Sequence, residues 1–103
     1  MGKMQREKGK RGEREVAQIL REHGYADARR TAQYAGMTAD SSDVVGLAGY
    51  HIEVKRQETT HIHEWIAQSE RDAGTDIALV VHRRSGDPWY VTLKFEEFLE
   101  AIK

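Results

Sequence analysis

The feature that most constrains the fold is an uninterrupted apolar run late in the chain, Ile77-Ala78-Leu79-Val80-Val81. A strand with one face in water alternates apolar and polar residues, whereas a strand covered on both faces does not. The run therefore predicts a strand over Thr75 to His82 that is buried on both sides. A sheet built around such a strand needs other elements packed against each of its faces.

The remaining segments predict three helices and four further strands. The first helix is bracketed by Gly12 and Gly24, the second begins near Thr60 and ends by Gly74, and the third carries an apolar stripe of Phe95, Phe98, Leu99 and Ile102. The strands are Tyr25 to Thr31, Asp43 to Gly46, Tyr50 to Arg56 and Trp89 to Leu93. The second and third of these strands form a hairpin, and residues 32–42 form an irregular loop. The order is that of an α/β domain with a mixed central sheet flanked by helices.

Length and composition limit the classes of protein that this chain can represent. Its 103 residues enclose one hydrophobic core, so residues 1–103 are expected to form a single domain. No apolar run approaches the about 20 residues that a membrane span requires, and no signal peptide is visible, so a cytoplasmic protein is expected. The absence of cysteine excludes disulfides, thiolate nucleophiles and cysteine zinc sites.

Charge is distributed unevenly, although the formal net charge is only -1. Residues 1–34 carry nine Lys or Arg against five Asp or Glu, which leaves the rest of the chain acidic. A basic N-terminal third on an acidic body is typical of a protein that holds a phosphate backbone on one face and gathers carboxylates elsewhere. For residues 1–10 alone, a flexible, solvated basic arm is an equally good interpretation.

The predicted strand Tyr50 to Arg56 places an acid and a base side by side. Residues two apart share a face, so Glu53 and Lys55 point one way while Ile52 and Val54 point into the core. Asp43 opens the preceding strand, and antiparallel pairing brings its carboxylate to the edge of the same face. Two carboxylates repel each other unless a cation neutralises them, and oxygen ligands select Mg²⁺ or Mn²⁺. The pattern predicts metal-assisted phosphodiester hydrolysis, in which Lys55 orients the attacking water or stabilises developing charge.

Glu13 is an unusual carboxylate for a different reason. On a helical wheel, Val16, Ala17 and Leu20 fall within roughly 60° of Glu13, whereas Glu15 lies on the opposite face. A carboxylate within an apolar stripe is rare unless it is paired, hydrogen-bonded or bound to metal. The alternative is that Glu13 favours the helix dipole or pairs with a nearby Arg.

These residues resemble a known family. Asp43 followed by Glu53-Val54-Lys55 resembles the D…(D/E)xK signature of the PD-(D/E)xK nuclease superfamily, with Ser42 where the motif name has proline. The segment KGKRGERE, Lys8 to Glu15, resembles the opening of the Holliday-junction-resolvase branch, in which the first Glu of ERE belongs to the active site. Glu13 matches that Glu. The resemblance covers about residues 8–82 and is greatest to small nucleases of phages and prophages.

The resemblance implies a restriction-endonuclease-like fold and a homodimer that cuts branched or structured DNA. It also implies a magnesium or manganese site formed by Asp43, Glu53 and the backbone carbonyl of Val54, with Glu13 contributing through water. Gln68, on the helix after the catalytic strand, is expected to hold Lys55 or a phosphate, or else to be a surface glutamine. The DNA contacts expected from their positions are Lys8, Lys10, Arg11, Arg29, Arg30, Gln33 and Arg56.

Several alternatives remain open at this point. His61 and His63 diverge on a helix, which disfavours a zinc site, and His51 alternates with Glu53 and borders the expected site. The aromatic residues are interpreted as core or dimer-interface residues rather than base-stacking platforms, namely Trp65, Trp89, Phe95 and Phe98. Besides a structure-specific endonuclease, the sequence allows a less selective nicking or restriction-type nuclease, or a non-catalytic DNA-binding module.

Overall fold

The structure, a computed structural model, describes residues 2–31 and 42–103. Over these residues the chain forms a five-stranded mixed sheet with three helices, which confirms the predicted α/β class. The elements in chain order are α1 (Gly2–Glu22), β1 (Arg29–Arg30), β2 (Val44–Val45), β3 (Tyr50–Arg56), α2 (Ile62–Ala73), β4 (Ile77–Arg83), β5 (Tyr90–Thr92) and α3 (Phe95–Ala101). No helix of the described residues is both long and apolar enough to cross a membrane.

The sheet has the order β1-β2-β3-β4-β5, and its centre is a parallel pair. β3 and β4 run parallel over seven residue pairs, from Tyr50 opposite Ile77 to Arg56 opposite Arg83, with α2 as the crossover. The other neighbouring strands pair antiparallel, including the predicted hairpin, in which Val44 lies opposite Ile52. Glu53 is therefore in the middle of the middle strand of the sheet.

The main core lies between α1 and the sheet. Its buried members are Val16, Ala17, Val44, Ile52 and Val54. The apolar face of α1 thus packs on the side of β3 that carries Ile52 and Val54, the two residues predicted to point into the core. Contact between α1 and β3 is close at Gly12, where an added Cβ would come within 3.2 Å of the Arg56 Cβ atom.

Several predicted boundaries are wrong, and a long-range ion pair explains one of them and a local turn another. The helix predicted to start after Gly12 begins at Gly2, so the segment expected as an arm continues α1. The ion pair between Lys8 Nζ and Glu58 Oε2, 3.1 Å long, ties this extension to the loop after β3. β4 begins at Ile77 rather than Thr75, because the Asp76 amide donates to the Ala73 carbonyl and holds a turn there.

Three smaller differences concern β1, β2 and α2. β1 is reduced to Arg29–Arg30 because the Ala28 amide donates to the Tyr25 carbonyl in a turn. β2 is limited to Val44–Val45, within the predicted Asp43 to Gly46. α2, predicted to begin near Thr60, begins at Ile62 with His61 as its N-cap, and the His61 side chain makes no capping hydrogen bond.

The apolar residues near the C-terminus are less covered than the sequence predicts. In β4, Ala78 and Val80 are buried, whereas Leu79 and Val81 are half-buried against the α1 core. Trp65 is buried, as expected of a core residue. Of the two interpretations of Phe95 and Phe98, as core or as dimer-interface residues, the first is wrong, since Phe95 is 72% exposed and no residue of α3 is buried. α3 follows the edge strand β5, where the described residues of the sheet offer no further strand to pack on.

Candidate active site

A cleft of about 610 Å³ lies between α1, the start of β2 and the second half of β3. Its walls include four of the five residues that the sequence assigned to the active site, Glu13, Asp43, Glu53 and Lys55, whereas the fifth, Gln68, is not part of the lining. The full lining is Lys8, Gly9, Glu13, Asp43, Glu53, Val54, Lys55, Arg56, Gln57, Glu58 and Thr59. Residues of α1, of β3 and of the segments before β2 and after β3 thus meet in one cavity.

Asp43, immediately before β2, is held against β3 by two hydrogen bonds. Its backbone amide donates to the Ile52 carbonyl at 2.7 Å, and its Oδ2 atom accepts a hydrogen bond from the Val54 amide at 2.8 Å. The buried hydroxyl of Ser42 accepts from the Ile52 amide at 2.9 Å and donates to the Val44 carbonyl at 2.7 Å. Ser42 therefore occupies a place in the hydrogen-bond ladder immediately before Asp43.

Glu53 is buried, with 7% of its surface exposed, and lies against Asp43. Burial, together with the charge of Asp43 and a hydrogen bond to it, raises the pKa of Glu53 to about 8, against the opposing charge of Lys55. Burial also raises the pKa of Asp43, although the Val54 amide and Lys55 act against it. The protonated Glu53 carboxyl donates to the Asp43 carboxylate, so the pair shares one proton near neutral pH.

Glu13 faces the same cleft from α1. Arg30 Nε donates to Glu13 Oε1 at 2.9 Å, so the pairing with a nearby Arg that the sequence left open is present. Burial and the charge of Asp43 nevertheless raise the pKa of Glu13, against the contribution of Arg30. Glu13 therefore lies close enough to Asp43 to sense its charge.

A comparison of the sequence with known protein families agrees with this arrangement. Residues 4–103 match the sequence profile of a family described as "phage putative PDDEXK endonuclease". The chain belongs to this family. The match spans nearly the whole chain and agrees with the resemblance to the PD-(D/E)xK superfamily and to its phage type. No curated protein and no solved structure matches the chain.

The α/β sheet and helices are consistent with the restriction-endonuclease-like fold that membership of this family implies. The family name describes an endonuclease, and the cleft offers the carboxylates that such chemistry uses. The match does not show that the chain belongs to the Holliday-junction-resolvase branch, and this finer assignment stays a prediction.

The donor set of the cleft fits a hard divalent cation. Among the described residues, no three His, Asp or Glu side chains are grouped closely enough to hold a metal ion. The predicted ligands Asp43 and Glu53 are in contact, and Val54 lines the same cleft. Mg²⁺ is commonly bound by one or two carboxylates and keeps several waters, so a larger protein cage is not required. A cation there would replace the proton that the two carboxyl groups share.

Only some of the residues predicted to contact DNA line the cleft. Lys8 and Arg56 line the cleft, where Lys8 is paired with Glu58. Arg30 is engaged with Glu13. Outside the lining of the cleft lie the exposed Lys10, Arg11 and Arg29 and the exposed Gln68 of α2. Gln33 lies outside the described residues, as does most of the predicted loop 32–42.

Two residues of the site were not identified from the sequence. Ser42 was noted only as a departure from the motif name, although a hydroxyl next to Asp43 is the signal that could have revealed its bonding role. Glu58 accepts hydrogen bonds from the amide and hydroxyl of Ser85 and from Lys8, which lowers the pKa of this exposed carboxyl. Its partners are far away in sequence, so no local pattern predicts this cluster. His51 borders the site as expected, with its Nε2 atom 3.9 Å from Glu53 Oε1.

Proposed function

We propose that this protein is a divalent-metal-dependent DNA endonuclease that hydrolyses phosphodiester bonds in the cleft. The observation that carries the proposal is the contact between the carboxyl groups of the half-buried Asp43 and the buried Glu53, with Lys55 in the same cleft. Burying two like charges together is unfavourable in the absence of a cation. A protein that only binds DNA has no use for two adjacent carboxyl groups of this kind. The family name supports the same activity.

Each residue of the cleft has a distinct part in the proposed reaction. The carboxylates of Asp43 and Glu53 would hold Mg²⁺ or Mn²⁺, and the Val54 amide orients that of Asp43. The Val54 carbonyl and a water bound to Glu13 would be the remaining ligands that the protein supplies. When bound, the cation polarises the scissile phosphate and acidifies an attacking water. The Lys55 ammonium orients the nucleophile and stabilises the charge that develops on the phosphate oxygens. Arg30 fixes the carboxylate of Glu13.

We further propose that the substrate is branched or otherwise structured DNA. Support comes from the resemblance of Lys8 to Glu15 to the resolvase branch. It also comes from the cations Lys8 and Arg56 in the cleft, which are suited to a phosphate backbone.

The proposed active form is a homodimer. Phe95, Phe98 and Leu99 of α3 and the following Ile102 are exposed, and monomeric proteins rarely expose an apolar patch of this kind. Sedimentation of Phe95→Asp compared with Tyr25→Asp, an exposed aromatic residue outside α3, tests this surface. Dissociation of the first variant alone supports the dimer, and a monomeric wild type contradicts it.

The activity is tested by incubating the protein with a labelled four-way junction, a linear duplex of the same sequence, and one of its single strands. Each is offered with Mn²⁺ or with EDTA. Cleavage of the junction with Mn²⁺ and none with EDTA is the expected result. Equal cutting of junction and duplex would indicate the less selective nuclease, whereas binding without cleavage would indicate a binding module.

A further inference from the structure

A second cavity lies beside the active-site cleft, at the end of β4 and the start of β5. Its volume is about 220 Å³, and Gln57 lines both cavities. Three aromatic side chains line it, those of Trp65, His82 and Tyr90. The proposed hydrolysis uses none of them.

The register of the sheet places this cavity on the same side as the cleft. Lys55 of β3 pairs with His82 of β4, and His82 pairs with Tyr90 of β5. Residues that pair across neighbouring strands point to the same face of a sheet, and the strands lie about 4.8 Å apart. The row Lys55, His82, Tyr90 therefore spans about 10 Å, which is the scale of one nucleotide from its phosphate to the far edge of its base.

The aromatic walls have a fixed part and an open part. Trp65 is buried, and its ring centroid lies 6.0 Å from that of His82. The His82 imidazole is held by a 2.9 Å hydrogen bond between its Nε2 atom and Thr92 Oγ1. Tyr90, 56% exposed, lies 6.2 Å from His82 with its ring tilted by only 34°. An incoming planar group would therefore meet two fixed rings and one accessible ring.

The chemistry of the cavity suits a planar heteroaromatic group. Burial lowers the pKa of His82, so this side chain is a neutral ring at pH 7. The rim carries groups that donate and accept hydrogen bonds, the Gln57 amide and the Arg84 guanidinium, which bonds Asp87 at 2.9 Å. Stacking on aromatic rings tolerates every base, while polar rim groups meet the base edges.

We propose that this cavity binds an unpaired nucleobase of the DNA strand whose phosphate lies in the cleft. The inference rests on the proposed function, because it takes the cleft as the place of the phosphate backbone. A base within a duplex has both faces covered by its neighbours, so only an unpaired or extruded base can stack on protein rings. The pocket would thereby favour cleavage next to gaps, mismatches and those branch points that leave bases unpaired.

Binding in EDTA tests the pocket without any need for cleavage. The probe is a duplex with a three-nucleotide single-stranded gap that contains 2-aminopurine, compared with the fully paired duplex of the same sequence. We expect the wild type to quench the fluorescence of the gap and to bind it more tightly. Tyr90→Ala should weaken binding to the gapped DNA about tenfold and abolish the quenching, with less than a twofold change for the duplex. Tyr90→Phe, which keeps the ring, and Tyr25→Ala, which removes an exposed ring elsewhere, should both behave as the wild type.

The outcomes separate the pocket from the proposed activity. Equal loss of affinity for both DNAs in Tyr90→Ala, or no loss for either, would overturn the pocket, as would a wild type that binds neither DNA. Failure of cleavage with Mn²⁺, while quenching by the wild type and its loss in Tyr90→Ala persist, would overturn the nuclease proposal and leave the pocket supported.

Discussion

The carboxyl group of Glu53 is subject to opposing influences at the centre of the sheet. Its own burial and the neighbouring Asp43 raise its pKa, whereas Lys55 lowers it, and the balance leaves the pKa at about 8. The residue most important to the proposed chemistry is therefore protonated near neutral pH in the absence of a cation. Proton and cation compete for the same oxygen atoms, so binding of a cation releases a proton.

This competition predicts how the stability of the metal-free protein varies with pH. Because the pKa of Glu53 is raised above its ordinary value of 4.5, folding binds a proton, and that contribution is complete below pH 4.5. It is lost as the pH rises towards about 8. Thermal denaturation in EDTA from pH 5 to 9 should therefore show a falling Tm. For a domain of this size, about 1 kcal/mol corresponds to a change of about 4–8 °C.

Two comparisons make this measurement specific. Glu53→Gln should flatten the dependence of Tm on pH, whereas Glu64→Gln, at an exposed position on α2, should not. Added Mn²⁺ should raise the Tm of the wild type more at pH 8 than at pH 5.5, because fewer protons then have to be displaced. A Tm in EDTA that rises with pH over this interval would contradict the account of the carboxylate pair.

Ser42 is the residue that connects the position of Asp43 to the sheet. Ser42→Ala removes both the acceptor of the buried Ile52 amide and the donor to the Val44 carbonyl. Leaving such buried groups unpaired costs about 1–3 kcal/mol, and urea denaturation should show a loss of that size. Cleavage should fall further than stability alone explains, because Asp43 loses its support. A variant as stable and as active as the wild type would show that Ser42 does not position Asp43.

At the scale of elements, α1 carries Glu13 into the cleft by packing closely on β3. Gly9 and Gly12 lie in the same helix but in different surroundings. A Cβ atom at Gly9 would meet nothing within 4 Å, whereas one at Gly12 would meet the Arg56 Cβ, Trp89 Cη2 and Val54 Cγ1 atoms at 3.2–3.4 Å. The close approach of helix and sheet therefore depends on Gly12 and not on Gly9.

These two glycines provide a matched pair of variants. Gly9→Ala should stabilise the protein by about 0.5–1 kcal/mol, because alanine favours the helix. Gly12→Ala gains the same propensity but forces α1 away from β3, and overpacking costs about 1–3 kcal/mol. The difference in the free energy of unfolding, measured in urea, should thus separate the two variants. Equal stabilisation by both would contradict the close packing at Gly12.

At the scale of the whole molecule, the local patterns of the sequence predicted the order of the elements and the bounds of β3, Tyr50–Arg56. Strand alternation and pairing also predicted that Asp43, Glu53 and Lys55 share a face, and all three line the cleft. Helical periodicity marked Glu13 as an unusual carboxylate, but its place beside these residues was implied by the resemblance to the nuclease family. The roles of these residues in catalysis remain predictions.

Features that depend on distant partners could not be predicted in this way. The start of α1 was missed because a glycine is a local stop signal that tertiary packing overrides. The exposure of Phe95 was missed because an apolar stripe does not indicate whether another element covers it. The Lys8, Glu58 and Ser85 cluster joins three separate segments, so neighbouring residues carry no sign of it.

The central claim is that Asp43 and Glu53 together make DNA cleavage depend on a divalent cation. Single-turnover cleavage of a labelled junction with Mn²⁺, measured beside DNA binding, tests it for Asp43→Asn, Glu53→Gln and the exposed control Glu64→Gln. The account predicts that both cleft variants bind DNA but lose at least about a hundredfold in cleavage rate, as when a group that stabilises the transition state is removed. The control should retain its rate. Cleavage that survives both Asp43→Asn and Glu53→Gln would contradict the account.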